Sequence, residues 1–379
     1  MIYLDNAATT YPKPASVCDM MRIAPYRYGA NPGRGGYKMS IETSEAIYDT
    51  RKLISKMFNA PGAENVIFTS NCTSALNMAI KGLARRNGTA VTSCLEHNSV
   101  MRPLYKLKKT GFQDYRQALK GKTDPETVRN FEYLLRGNIS YIISTCASNV
   151  FGDIMPLREL GKLAGYYKIP FIVDGAQGGG IIDIDMKRDN ISCLCLPGHK
   201  GLYGVAGTGI LVLGENIRPE TLLEGGTGSS SLEADQPRFL PDRYESGTVN
   251  IPGIVTLKKG VEFVMNTGIR NIRSHEERLV SRLYDFLSED KRFTVYNDYG
   301  NGEYAPLLSF NIKGINSEEA AEILSGYGIA VRGGFHCNYS AHDFYKTADT
   351  GTFRVSPSFF NNMNEINFLI NSLNKIAKA

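Results

Sequence analysis

The sequence contains no Cys-x-x-Cys pair, although seven cysteines are scattered through it, at 18, 72, 94, 146, 193, 195 and 337. An odd number at irregular spacing argues against a disulfide framework and against a zinc site, and reduced thiols of a cytoplasmic protein are the expectation. No apolar run approaches the length of a membrane-spanning helix. The first residues, MIYLDNAATTYPKP, have neither the basic segment nor the apolar core of a signal peptide. Strong charge of one sign is also missing, since the net charge is only +5. The basic cluster Arg102, Lys106, Lys108, Lys109, Lys120 and Lys122 carries no regularly interleaved aromatics, so it reads as a solvated helix face and not as a nucleic-acid surface. Internal repeats and low-complexity segments are absent too.

What is present is an ordinary globular composition, 42% hydrophobic and 21% charged, over 379 residues, enough for two to three domains. Residues 1–36 are rich in Gly, Pro, Asn and Ala and read as mostly irregular. From residue 40, helical and strand-like segments alternate. Helical spacing runs over 40–58, 73–83, 99–110 and 156–167, and short apolar runs fall at 66–69, 90–95, 141–146, 169–174, 191–196 and 209–213. Alternation of this kind predicts a mostly parallel sheet covered on both faces. Cys193 and Cys195 fall in one such buried run. The Pro–Gly pair at 252–253 introduces a helical stretch over roughly 254–290. Strands at 293–296, 306–311 and 330–332, a helix at 317–327 and a terminal helix from about 364 then predict a smaller α+β domain. The expected division is a large domain, 15–252, and a small one made of 1–14 and 253–379.

Three segments carry chemistry together that none carries alone. In FTSNCTSALNMAI (68–80) a strand runs into a helix whose free N–H groups and dipole suit an anion, with the Thr73 hydroxyl beside them. Alone, this is an N-cap. In FIVDGAQ (171–177), Asp174 stands at the carboxyl end of a buried strand, where ligands bind in open α/β sheets, with Gln177 on the following turn. Alone, such an Asp caps a turn. In LPGHKGLYGVAGTGILVL (196–213), a glycine-rich turn between two strands carries His199 and Lys200. Alone, Lys200 is a surface lysine in a hairpin. In combination they supply an anion cradle, a partner for a protonated ring nitrogen and an imine-forming amine, which is what pyridoxal 5′-phosphate requires of a protein.

The chain resembles the class V aminotransferase family of fold-type I pyridoxal-phosphate enzymes, in its cysteine desulfurase and selenocysteine lyase branch. The resemblance rests on YLDNAATT (3–10), NPGRGGY (31–37), NCTSALN (71–77), LEHNS (95–99), CASNVFGDIMP (146–156), DGAQ (174–177), PGHKGLYG (197–204), RYESGTVN (243–250), VRGGFHC (331–337) and FRVSPSFFNN (353–362), in that order. It implies a Schiff base on Lys200, an ion pair of Asp174 with the ring nitrogen, and a bond from Gln177 to the ring 3-oxygen. It further implies His97 stacked on the ring, and phosphate held by Cys72, Thr73 and His199. Thr248 of a homodimeric partner would complete that phosphate site. Asn149 and Arg354 would bind the substrate α-carboxylate, Arg354 through its planar fork. Cys337, in a glycine-rich segment beside His336, resembles the desulfurase nucleophile. A glycine-rich loop could carry that thiol to the cofactor, and an imidazolium at His336 would favour its thiolate. Alone, a cysteine there is a small buried hydrophobe.

The chain departs from the common pattern at Pro197, at Tyr37 and throughout NYSAHDFYKTADTG (338–351). The expectation is therefore a desulfurase that converts L-cysteine to L-alanine, leaving a persulfide on Cys337 for a sulfur-acceptor protein. The alternatives are a selenocysteine lyase, a transaminase or epimerase on the same cofactor, or a non-catalytic scaffold.

Overall fold

The computed structural model describes every residue except Arg34, Asn301 and Ala379, so Arg34 of the NPGRGGY segment lies outside the described residues. From the N-terminus, β1 (Ile2–Tyr3) leads to α1 (Ala15–Arg27) and α2 (Lys38–Met57). Then follow β2 (Val66–Thr69), α3 (Cys72–Gly82), β3 (Gly88–Ser93), α4 (Asn98–Lys109), β4 (Gln113–Ala118), α5 (Asp124–Leu134), β5 (Ile139–Thr145), α6 (Leu157–Tyr167), β6 (Phe171–Asp174), β7 (Cys193–Pro197) and β8 (Gly209–Leu213). The chain ends with α7 (Ile251–Thr267), α8 (Ile269–Glu289), β9 (Phe293–Val295), β10 (Leu308–Ile312), α9 (Ser317–Gly326), β11 (Ile329–Ala330), α10 (Tyr339–Phe344), β12 (Phe353–Val355) and α11 (Met363–Ile376).

The fold is α/β. Its central sheet has seven strands in the order β2-β8-β7-β6-β5-β3-β4, and β8 alone runs against the others. Pleating sends alternate residues to opposite faces. Val66, Phe68, Ile142, Val173 and Leu194 join the core on one face, and Ile67, Tyr141, Ile143, Ile172, Cys193 and Cys195 join the core on the other. Because helices cover both faces, the central strands are apolar without a break, which is why they are legible as short buried runs. A separate core forms around Leu4, Leu279, Leu283, Phe310, Phe353, Ile366 and Leu369. There the antiparallel sheet β12-β10-β9 packs with α8, α9 and α11, while β1 pairs in parallel with β11. Among the described residues no helix is long and apolar enough to cross a membrane.

Local structure departs from the sequence expectation at several places, three of which have a plain physical reason. Helix α1 occupies part of the segment read as irregular, because Pro25 interrupts its interior and only Val17 and Ala24 are buried. Strand β4, QDYRQA, is an edge strand of polar residues, so it shows no apolar run. The stretch at 254–290 is two helices, since Gly268 at φ 85° breaks it. Helix α7 starts where Asn250 caps Gly253 N–H and Pro252 fills the first turn.

Candidate active site

Most of the residues singled out from the sequence collect at the carboxyl edge of the large sheet, the edge where open α/β sheets bind ligands. β2 delivers the N-terminus of α3, β3 delivers Glu96 and His97, and β5 delivers Asn149. β6 ends on Asp174, and β7 leads into His199 and Lys200. The turn bearing Lys200 is held by the N-terminal segment. The His199 carbonyl accepts from Thr10 N–H (3.2 Å), from the hydroxyls of Thr9 (3.2 Å) and Thr10 (3.1 Å), and from Lys13 Nζ (2.7 Å). On the other side, Gly180 (φ 86°) backs directly onto the Gly201 carbonyl, leaving no room for a Cβ.

Burial lowers the Lys200 pKa from its ordinary value, and the Arg354 charge adds to the effect, so the amine is easily freed of its proton. Asp174 shows the opposite imbalance. Burial raises its pKa, and the Ala176 N–H, the Lys200 charge and the Cys72 thiol offset this only in part. A buried carboxyl in that state lacks a full cationic partner. In α3, Ala75 N–H makes the first helical bond to Asn71 O and the Asn71 side chain takes Ser74 N–H. The amides of Cys72 and Thr73 are thus left over by the helix, as an anion site needs. These residues fit pyridoxal phosphate: a desolvated amine, an under-paired carboxylate for a protonated ring nitrogen and a helix N-terminus for phosphate.

His97 Nδ1 accepts from Ser99 N–H (3.0 Å), which leaves the ring proton on Nε2. Ser99 Oγ bridges this nitrogen to the Thr73 hydroxyl, at 2.9 and 2.8 Å. Burial, then Lys200, holds His97 at about 4, so its ring is neutral near pH 7. His199 is likewise held at about 4 by burial and Lys200, with Nδ1 3.0 Å from Thr9 Oγ1. Gln177 donates to the Ala7 carbonyl (3.1 Å).

Arg354 is buried. It donates from Nη1 to Asn149 O (2.7 Å) and from Nη2 to Asp5 Oδ1 (2.6 Å), while its Nε has no partner among the described residues. The Asn149 side chain is engaged at both ends: Nδ2 donates to His336 O (2.8 Å) and Oδ1 accepts from Asn338 (2.8 Å). Cys337 is exposed, and its carbonyl accepts from Asn98 N–H (2.9 Å), one residue beyond His97.

The imidazolium expected at His336 is not formed. The ring is buried, burial pushes its pKa well below the ordinary value, and Nε2 donates to Thr352 O (2.9 Å). The cation beside the thiol is instead Arg332, whose Nη2 lies 3.8 Å from Cys337 Sγ. Thr248 does not join this group. It lines a separate cavity of about 270 Å³ with Asn31, Ser44, Arg51 and Gly226–Ser229. Sequence reasoning missed Lys13, Glu96, Arg332 and Asn338. Glu96 is wholly buried, accepts from Ser93 Oγ and Thr145 N–H, and is raised to about 8 by burial, so it is mostly uncharged at pH 7. Its position between β3 and His97 was its only signal.

A mostly parallel seven-stranded sheet, a smaller α+β layer and a desolvated lysine at the strand ends define an enzyme of fold type I. The chain belongs to the aminotransferase class-V family, whose model matches residues 2–369. A probable cysteine desulfurase of Methanothermobacter thermautotrophicus is 30% identical over 99% of this chain and 94% of the relative. A cysteine desulfurase of Haloferax volcanii is 28% identical over 98% of this chain and 88% of its own length. Among solved structures, the apo cysteine desulfurase of Thermococcus onnurineus superimposes with a TM-score of 0.91 at 27% identity, covering 100% of this chain and 94% of that one.

Proposed function

We propose that this enzyme is a pyridoxal-phosphate-dependent cysteine desulfurase that moves the sulfur of L-cysteine onto Cys337 and releases L-alanine. The observation that carries the reading is an exposed thiol, Cys337, whose carbonyl accepts from Asn98 N–H next to His97, a ring that itself feels the charge of Lys200. Likeness to proteins named cysteine desulfurase supports it over the full chain.

The cofactor, when bound, supplies an electron sink for the substrate Cα. Lys200 would hold it and would carry the Cα proton, a task its lowered pKa suits. Asp174 would keep the ring nitrogen protonated, Gln177 would reach the ring oxygen, and neutral His97 would lie against the ring face. The left-over amides of Cys72 and Thr73, with His199, would take the phosphate. Arg354 offers its unpaired Nε–H to the substrate carboxylate. Asn149 borders the same subsite, through its carbonyl on Arg354. The Cys337 sulfur forms an S–S bond to the substrate sulfur as the substrate Cβ–S bond breaks. The electron pair of that bond stays with the carbon skeleton, which takes up protons and leaves as alanine. Sulfur is oxidised as carbon is reduced, so no outside oxidant is required.

Homodimerisation fits the segment 222–248, which exposes Leu222, Leu223, Leu232 and Phe239. Thr248 would reach the partner's phosphate site across that surface. The seven cysteines are free, as in a reducing, cytoplasmic setting, and an exposed thiol can pass sulfur to an acceptor protein.

Cys337→Ala should cut alanine formation from L-cysteine about 100-fold or more, the order of loss when a nucleophile is removed. Selenocysteine should be less affected, because selenium leaves more readily. Turnover of L-cysteine by Cys337→Ala at the wild-type rate would overturn the assignment.

A further inference from the structure

The backbone around Cys337 is fixed more tightly than its exposure suggests. His336 and Cys337 both adopt left-handed φ, 48° and 56°. For residues with a Cβ this costs roughly 1 kcal/mol or more each, and such strain persists only where surrounding bonds hold it. Three consecutive residues supply those bonds. The His336 carbonyl accepts from Asn149 Nδ2 at 2.8 Å, and the Cys337 carbonyl accepts from Asn98 N–H at 2.9 Å. Asn338 contributes the most. Its Nδ2 donates both to Leu95 O (2.9 Å) and to Asn149 Oδ1 (2.8 Å), and its Oδ1 accepts from Ala341 N–H (3.0 Å). Only 1% of Asn338 is exposed.

Leu95 lies just before His97, and Asn149 carries the carbonyl on which Arg354 rests. The Asn338 amide therefore joins the residue after the thiol to two of the segments that bound the substrate pocket.

We propose that Asn338 is a positioning residue that holds the Cys337 thiol at the active site, acting through the peptide that carries it and together with Asn149. The inference rests on the reading of Cys337 as the sulfur-accepting thiol. The NH₂ ties the peptide to the pocket wall, while the oxygen only caps α10.

That division gives the test. Asn338→Asp keeps the cap on Ala341 N–H but loses both donors and sets a carboxylate against Leu95 O and Asn149 Oδ1. Asn338→Ala loses cap and donors alike. On the holoenzyme, both variants should form alanine from L-cysteine about tenfold or more slowly, since small misplacement of a reacting group costs at least that. The fall should be in kcat. Exchange of the Cα proton of L-alanine in deuterated water, which needs Lys200 but no thiol, should stay within about twofold of wild type. Amide hydrogen exchange, read independently of turnover, should rise in residues 335–341 of both variants.

If Asn338→Asp turns over L-cysteine like wild type while Cys337→Ala is inactive, Asn338 is only a helix cap and the inference fails. It fails equally if Cα exchange falls in parallel with desulfuration, because the pocket as a whole is then disturbed. Wild-type desulfuration by Cys337→Ala would instead sink the reading of the thiol itself.

Discussion

Burial sets the charge of the two histidines nearest Lys200. His97 and His199 are both held at about 4, below the ordinary 6.5. Between pH 6.5 and 4 the unfolded chain binds protons that the folded chain refuses, so folding stability is fully retained above pH 6.5 and declines as pH falls through this window. Thermal unfolding followed from pH 6.5 to 4.5 should show a shallower loss of Tm for His199→Asn than for wild type; parallel slopes would mean that His199 is protonated at no cost in the folded state. At this same scale the sequence was most informative where a residue type has one job. Lys200, Asp174 and the helix start at Thr73 were legible because amine, carboxylate and free amides are jointly rare at strand ends. Asn338 and Asn149 were not, since an asparagine amide becomes a tether only through the carbonyls it meets.

At the level of elements, the turn between β7 and β8 owes its geometry to a distant segment. Four donors from residues 9–13 converge on the His199 carbonyl, and Thr10 Oγ1 also reaches the Lys200 carbonyl (3.1 Å). Lys13 makes the one charge-assisted bond among them, the stronger kind. Burial lowers its pKa to about 8, so the ammonium form serves below that pH and fades above it. Lys13→Met should weaken pyridoxal-phosphate binding, measured by equilibrium titration of the apoenzyme, by about tenfold, and Lys13→Arg should recover most of it. Affinity unchanged in Lys13→Met would show that the threonines suffice. Strand and helix periodicity revealed most of the large sheet, because central parallel strands are apolar on both faces. It failed for β4 and α5, which bury little: β4 is an edge strand, and α5 buries only Thr127 and Phe131.

The whole molecule places its chemistry where two cores meet. The large sheet carries Asp174, His199 and Lys200 at its strand ends, Arg354 lies on β12 within the second core, and Cys337 lies between β11 and α10. Asp5 and Asn6, beside β1, link them: Asp5 pairs with Arg354, and Asn6 Nδ2 donates to Ser356 O (3.0 Å). This convergence joins residues hundreds of positions apart, so only family resemblance anticipated it from sequence, and only for residues within shared motifs. Arg332 beside the thiol and the neutral His336 came from the fold alone. The central claim is that sulfur passes from substrate to Cys337. The most direct measurement is a single turnover of the pyridoxal-phosphate-loaded enzyme with L-cysteine, without reductant, followed by peptide mass spectrometry and alanine determination. One sulfur atom should be added to the Cys337 peptide for each alanine formed, with the other six cysteines unchanged. Stoichiometric alanine with no sulfur added at Cys337 would contradict it.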